Sequence, residues 1–147
     1  MIYLDTSFVV SLYSPDANSA AAVRIQQTAT DTLLLSTLCE LETLNALRLR
    51  VFRKEISIAL ADASQRHFEQ DLRTGVFQLR PLPESAFDRA RKLSKQSTAQ
   101  LGTRTADILH IAAALEFGAT GFFSFDLQQR KMAQAAGLRL FPMPKRS

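Results

Sequence analysis

Four acidic residues stand at positions where a carboxylate could do chemistry: Asp5, Glu42, Asp107 and Asp126. Two of them, Asp5 and Asp126, are the first charges after short apolar runs, IYL and GFFSF, that are typical of buried strands. Ligands of open parallel α/β sheets bind just beyond the carboxyl ends of the strands, so acids there are candidates for function. Each could instead only cap the helix that follows, because Asp is a favoured N-cap residue.

Asp107 opens the run ADILHIAAAL, which would be apolar on nearly every face of a helix and is therefore predicted to be buried. A carboxylate that enters a buried helix is costly unless a cation or several hydrogen-bond donors meet it. A bound metal ion would supply that compensation. The alternative is a first-turn Asp that the helix dipole stabilises, with Arg104 as an ion-pair partner three residues earlier.

Helical geometry chooses between two acids in the segment LCELETLNAL. At 100° per residue, Glu42 lies on the edge of a mostly apolar face, whereas Glu40 points away from it towards solvent. Glu42 is therefore the candidate. Asn45 follows it by three residues and could orient the carboxylate or a bound water, or could simply be a polar residue at an exposed position. The face comprises Leu38, Leu41, Asn45, Leu49 and Phe52.

Four carboxylates crowd together only if they share protons or bind a cation, because like charges raise one another's pKa values. Oxygen ligands select hard ions, so Mg²⁺ or Mn²⁺ is expected, as one ion or two. The single Cys39 and the two histidines, His67 and His110, are too few for a cysteine or histidine-rich zinc site. The reaction that such a site supports best is phosphodiester hydrolysis.

Short apolar runs and longer amphipathic stretches alternate along the chain, which predicts an α/β fold with a parallel sheet covered on both faces. Strands are expected at residues 2–4, 33–35, 77–79, 121–125 and 138–141, and helices at 19–29, 37–53, 57–73, 84–97, 105–117 and 127–136. The polar segment 92–104 is expected to contain a mobile loop, and residues 142–147 a loose tail.

Length and composition favour a single domain over residues 1–147, since 147 residues with 46% hydrophobic content can build one sizeable core. The 18 basic residues exceed the 14 acidic ones, giving a net charge of +4 that favours a polyanionic partner. The first residues, MIYLDTS, do not form a secretory signal, and no 18-residue apolar run could span a membrane. A cytoplasmic protein is therefore expected.

Three segments in order, YLDTSFVVSLY, LLLSTLCELETLNALRLRV and RTADILHIAAALEFGATGFFSFD, resemble the PIN domains, and more closely the VapC-type toxins of bacterial toxin-antitoxin pairs. The resemblance implies a three-layer α/β/α sandwich with a short parallel sheet. It also implies a Mg²⁺- or Mn²⁺-dependent endoribonuclease that forms a homodimer and is blocked by an antitoxin protein.

The resemblance assigns the family's catalytic and cation-binding acids to Asp5, Glu42, Asp107 and Asp126. Small hydroxyl residues accompany them: Thr6 and Ser7 follow the first acid, and Ser124 precedes the last one, where Thr is more usual. These hydroxyls could bind a metal-bound water or a phosphate oxygen, or could cap helices. The aromatic residue often found shortly after the last Asp is absent, because LQQR stands there.

Cations near the acids could hold RNA phosphates, and Arg104 and Arg48 are the candidates for this role. Arg50 and Lys54 fit a solvated helical face better. Two other functions remain open. An aspartate-nucleophile phosphatase would usually need a second Asp where Ser7 stands, and a non-enzymatic binding module would keep the acids for structural reasons only.

Overall fold

The computed structural model describes residues 1–141. The strands are β1 (Ile2–Leu4), β2 (Leu33–Ser36), β3 (Gln78–Arg80), β4 (Gly121–Phe123) and β5 (Arg139–Leu140). The helices are α1 (Thr6–Tyr13), α2 (Ser19–Thr28), α3 (Thr37–Phe52), α4 (Ile58–Arg73), α5 (Ser85–Leu93), α6 (Ala99–Leu101), α7 (Thr105–Glu116) and α8 (Leu127–Ala135). A π-helical turn, Ser94–Thr98, joins α5 to α6.

The five strands form one parallel sheet in the order β3-β2-β1-β4-β5, which confirms the predicted α/β fold. Successive side chains of a strand point to opposite faces, so the sheet supports two cores. Tyr3, Leu34 and Phe122 face one core with α5, α7 and α8. Ile2, Leu4 and their neighbours face the other core with α1, α2 and α4. Within residues 1–141, no helix combines the length and hydropathy that a membrane span requires.

The junction between β1 and β4 is the place where the chain changes direction across the sheet. From β1 the chain builds outwards through β2 to β3, and it then returns to add β4 on the other side of β1. Leu4 pairs with Phe123, so the residues that follow these strands leave the sheet side by side. Parallel sheets bind ligands at such switch points, because the loops diverge there and leave a crevice.

Two details of local structure differ from the sequence expectations. The segment 92–104 is helical up to Leu101, because no glycine or proline interrupts it before Gly102, whose φ of 62° ends the helix. The loop expected in this segment is therefore confined to residues 102–104, directly before α7. A helix after Asp5 is implied by its possible capping role, but the bounds of α1 were not predicted, because its sequence, TSFVVSLY, is mostly apolar and lacks a polar face. Five of its eight residues are buried. The expected tail at 142–147 lies outside the described residues.

Candidate active site

Asp5 lies directly after β1, is the N-cap of α1, and is only 4% exposed. Its Oδ1 accepts hydrogen bonds from Ser7 Oγ at 2.7 Å and from the backbone N–H of Phe8 at 3.1 Å. Its Oδ2 accepts a hydrogen bond from Ser124 Oγ, which comes from the end of β4. The capping role foreseen for Asp5 is therefore real, and the same carboxylate also bridges the switch point.

No cationic side chain forms an ion pair with Asp5 within residues 1–141. Burial raises the pKa of Asp5, and the hydrogen bonds from Ser124, Ser7 and Phe8, together with nearby His110, only partly offset this effect. A buried carboxylate without a cation is unfavourable for folding. This position would therefore gain stability from a bound positive charge.

Glu42 reaches the same place from the first half of α3. Its Oε1 accepts hydrogen bonds from Thr6 Oγ1 at 2.8 Å and from His110 Nε2. Burial disfavours the charged form of Glu42, but the hydrogen bonds from His110 and Thr6 and the electrostatic influence of the nearby imidazole outweigh this effect, so the pKa of Glu42 is lowered. Because Thr6 directly follows Asp5, these contacts place Glu42 beside the first acid.

The sequence reading missed His110, which is 2% exposed and points from α7 into the site. Its Nδ1 lies 2.7 Å from the hydroxyl of Tyr3, which in turn lies 2.8 Å from Ser36 Oγ. A signal was present, because a single histidine inside the apolar run ADILHIAAAL must find polar partners when the helix is buried. The sequence alone could not name those partners, since they come from other elements.

Asp126 and Asp107 are linked through Gln129. Asp126 is the N-cap of α8, and its Oδ1 accepts a hydrogen bond from the backbone N–H of Gln129 at 2.9 Å. The side-chain Nε2 of Gln129 donates to the backbone carbonyl of Asp107 at 3.2 Å. Gln129 is 1% exposed, and its Oε1 has no hydrogen-bond partner within the described chain.

Asp107 also has the ion-pair partner that the alternative reading foresaw. Arg104 Nε lies 3.3 Å from Asp107 Oδ2, with side chains 81% and 20% exposed respectively. Such an exposed pair contributes little to stability, so it is easily exchanged for another cation.

Two of the hydroxyl residues that accompany the acids, Ser7 and Ser124, meet at the β1–β4 junction. Ser7 Oγ accepts a hydrogen bond from the backbone N–H of Phe125 at 3.0 Å, and Ser124 Oγ accepts one from that of Asp126 at 3.0 Å. The two hydroxyls lie 3.4 Å apart. Asn45, by contrast, is exposed on α3 and makes no side-chain hydrogen bond with any residue of 1–141.

The apolar face of α3 that was used to select Glu42 faces solvent. Leu41, Leu49 and Phe52 are 64%, 40% and 83% exposed, and the buried residues of this helix are Cys39, Thr43 and Leu47. Glu40 is partly buried rather than fully solvated.

A groove beside Thr6 and Ser7 carries three arginines, Arg50, Arg53 and Arg104, and is called the arginine groove below. Arg53 is exposed and makes no side-chain hydrogen bond or ion pair among residues 1–141, whereas Arg50 contacts Ser14 and Asp16. Arg48 lies elsewhere, in an ion pair of 2.8 Å with Asp62. Of the arginines considered from the sequence, the groove therefore includes Arg104 and Arg50, but not Arg48.

The possible ligands at this edge of the sheet are carboxylate and hydroxyl oxygens, which is the type that hard cations prefer. They surround the buried Asp5, which has no ion-pair partner among residues 1–141. In the side-chain positions of this structure, however, residues 1–141 contain no group of three or more His, Cys, Asp or Glu residues that is close enough to hold a metal ion. Asp107 and Asp126 are partly exposed and engaged with Arg104 and Gln129, so a closed cation site requires these carboxylates to turn towards Asp5.

Fold and site together define a class: a three-layer α/β/α domain with carboxylates at the switch point of a parallel sheet. The model of the PIN domain family matches residues 2–135, and the chain belongs to this family. No curated protein matches the chain.

Solved structures that share the fold cover nearly the whole chain. The toxin VapC20 of Mycobacterium tuberculosis, described as cleaving the sarcin-ricin loop, is 19% identical with a TM-score of 0.70, over 94% of this chain and 96% of its own. FitAB bound to a DNA fragment is 18% identical with a TM-score of 0.72, over 96% and 94%. VapBC2 of Rickettsia felis, bound to a promoter fragment, is 16% identical with a TM-score of 0.66, over 96% and 98%.

Proposed function

We propose that this protein is a divalent-metal-dependent endoribonuclease and the toxin of a VapBC-type toxin-antitoxin pair. The observation that carries the proposal is the state of Asp5: a buried carboxylate at the switch point, held by Ser7 and Ser124, with no cation partner in residues 1–141. Membership of the PIN domain family and the likeness to a toxin that is named for cleaving the sarcin-ricin loop support the same function.

Asp5, Glu42, Asp107 and Asp126 would hold the cation, which we expect to be Mg²⁺ or Mn²⁺. When bound, such an ion lowers the pKa of a water molecule and offsets charge on the phosphoryl oxygens. The protein's contribution is to orient the acids. Ser7 and Ser124 fix both oxygens of Asp5, and Thr6 fixes Oε1 of Glu42.

RNA is the substrate that the neighbouring groove suits best. Arg53 and Arg104 offer guanidinium groups at the side of Thr6 and Ser7, where the phosphates that flank the scissile bond would lie. Arg104 would exchange its exposed pair with Asp107 for a phosphate. Arg48 is less suited to this role than the sequence suggested, because Asp62 and Gln65 already bind it on α4.

A partner protein is proposed from the similar structures, which carry the paired names FitAB and VapBC2 and are described as bound to DNA fragments. We expect a VapB-like antitoxin to bind this chain and block its site. Co-purification from the native host should recover a small, equimolar partner whose removal increases RNA cleavage. A chain that purifies without such a partner and is already fully active would contradict this part of the proposal.

A homodimer is proposed from the solvent-facing apolar residues of the α3–α4 hairpin. Leu41, Leu49 and Phe52 on α3 and Ile58 on α4 are between 40% and 83% exposed, and such apolar patches usually mark contacts between proteins. Light scattering should give twice the chain mass for the wild type and a lower mass for Phe52→Asp. A wild type that is monomeric at every concentration would contradict the dimer.

The proposed activity is tested by incubating structured and single-stranded RNAs with the protein in Mg²⁺, Mn²⁺ or EDTA. Cleavage with either ion and none in EDTA is expected. RNA binding without cleavage would favour a binding module instead. Formation of a covalent phosphoaspartate from a phosphate ester would favour the phosphatase.

A further inference from the structure

His110 connects the interior of the fold to the acidic site. Its ring lies between Tyr3 of β1 and Glu42 of α3, and it is 2% exposed. Tyr3 has no exposed surface and continues the chain of contacts to Ser36, the N-cap of the helix that carries Glu42. One buried hydrogen-bonded chain thus runs through β1, α3 and α7.

The directions of these hydrogen bonds follow from what each group can donate. The ionised carboxylate of Glu42 only accepts, so His110 Nε2 must carry a hydrogen. In a neutral ring Nδ1 then accepts from the Tyr3 hydroxyl, and Ser36 donates to Tyr3. In a charged ring the bonds of Tyr3 reverse, while Nε2–H still points to Glu42. The contact with Glu42 therefore exists in both states of the ring.

We propose that His110 is a positioning residue for Glu42, and this inference rests on the proposed nuclease function. The histidine and Thr6 both bind Oε1 of Glu42, which restricts the rotation of a side chain that is 33% exposed. Oε2 makes no hydrogen bond with any residue of 1–141, which leaves it available to a cation. Outer partners of this kind fix the orientation of metal ligands, and their loss typically costs roughly 10–100-fold in affinity or activity.

A purely structural role for His110 makes a different prediction. A histidine that only fills and satisfies the core could be replaced by an apolar residue of similar size with a change in stability alone. A positioning residue must in addition alter metal binding and kcat, while leaving the KM for RNA nearly unchanged, because the arginine groove is not disturbed.

The experiment compares His110→Leu, His110→Gln, Tyr3→Phe and the control His67→Leu with the wild type. His67 is the other histidine and lies on α4 with a side chain that is 67% exposed. Binding of Mn²⁺ is measured by calorimetry without RNA. Cleavage is measured over a range of RNA concentrations that gives both kcat and KM, and folding is monitored by circular dichroism.

For His110→Leu, we expect the Mn²⁺ dissociation constant and kcat each to worsen by about 10–100-fold, with KM for RNA changed less than about 2-fold. His110→Gln restores most of both values, because its amide can still donate to Glu42. Tyr3→Phe shows the same effects more weakly, and it decides the question if His110→Leu does not fold. The control remains at wild-type values.

Wild-type Mn²⁺ affinity and kcat in folded His110→Leu and Tyr3→Phe would overturn the positioning role. A wild type that binds Mn²⁺ but cleaves no RNA would contradict the proposed function, and the effect of the variants on Mn²⁺ affinity would still decide the role of His110. A wild type that binds no Mn²⁺ would overturn both.

Discussion

Ser124 Oγ donates a hydrogen bond to Asp5 Oδ2 across the junction of β1 and β4. The same oxygen accepts the backbone N–H of Asp126 at 3.0 Å, so one hydroxyl orients two of the four acids. Ser124 and Asp5 are nearly inaccessible to solvent, with exposed fractions of 2% and 4% respectively. The position of the first acid is thus fixed by the adjacent strand rather than by α1 alone.

The hydroxyl of Ser124 should matter more for cleavage than for stability. Ser124→Ala removes the hydrogen bond to the Asp5 carboxylate and the one from the backbone N–H of Asp126. We therefore expect about a 10-fold loss of kcat and a loss of about 1 kcal/mol in the free energy of unfolding. Ser124→Thr keeps the hydroxyl and should remain active. Steady-state cleavage and denaturant unfolding measure the two effects. An Ala variant with wild-type kcat would show that Asp5 does not need this donor.

Asp5→Asn should stabilise the metal-free protein while abolishing cleavage. The amide avoids a buried charge and can still accept from Ser7 and Phe8, so we expect the Tm to rise by about 2–4 °C, as a gain of about 1 kcal/mol would produce. Added Mg²⁺ should reduce the difference, because the ion stabilises only the wild type. Differential scanning calorimetry with and without Mg²⁺ tests this. A lower Tm for the variant in EDTA would contradict the account of Asp5.

The pH dependence of that difference has a definite sign. Burial raises the pKa of Asp5, so the folded protein binds this proton more tightly than the unfolded chain does. The wild type therefore gains stability relative to Asp5→Asn as the pH falls through the raised pKa, and the variant's advantage is largest at neutral pH. The trend is measured by unfolding both proteins in EDTA between about pH 4 and pH 8. This interval was chosen because a buried carboxyl group with a raised pKa titrates roughly there. An advantage that grows as the pH falls would contradict it.

Gln129 should affect cleavage because it links the segments that carry Asp107 and Asp126. Gln129→Met keeps the length of the side chain but removes its hydrogen bond to the Asp107 carbonyl and also its unpaired Oε1. The two effects on stability oppose each other, so we expect a change within about 1 kcal/mol. We expect kcat to fall about 10-fold, at the lower end of the range for groups that orient ligands. Unchanged kcat would show that this link is only structural.

The arginine groove predicts a salt-sensitive contribution to RNA binding. Arg53→Ala should raise KM several-fold and reduce the slope of log KM against log salt by about 1, the value for roughly one lost phosphate contact. Arg66→Ala is the matched control, since Arg66 is an exposed arginine of α4 that does not line the groove. Equal effects of both substitutions would mean that only the net charge matters.

The fold could be predicted from the sequence because its signals are local. Short apolar runs separated by amphipathic stretches predict parallel strands and covering helices, and all five strands occur near the expected positions. Where this signal fails, the cause is also local. Helix α1 is too apolar to show a helical period, and the polar sequence of the Ser94–Thr98 turn suggests a loop although it contains no helix breaker.

The candidate site was only partly predictable, because two of its acids follow strands but the partners of the acids come from distant segments. Asp5 and Asp126 could be chosen from their places at strand ends. His110 is 68 residues from Glu42 in sequence, and Gln129 is 22 residues from Asp107, so no spacing rule connects them. Glu42 was selected from a helical face that turned out to be exposed. Arg48 was a candidate for binding RNA, because its pairing with Asp62 of α4 cannot be read from the chain.

The most direct test of the central claim is RNA cleavage by the wild type, Asp5→Asn and Asp126→Asn in Mg²⁺, Mn²⁺ and EDTA. Asp31→Asn serves as the matched control, because Asp31 is an exposed acid that makes no ion pair among residues 1–141. We predict metal-dependent cleavage by the wild type and the control, and a loss of at least about 100-fold in both site variants. Equal cleavage by all four proteins, or cleavage that persists in EDTA, would contradict the assignment of the site.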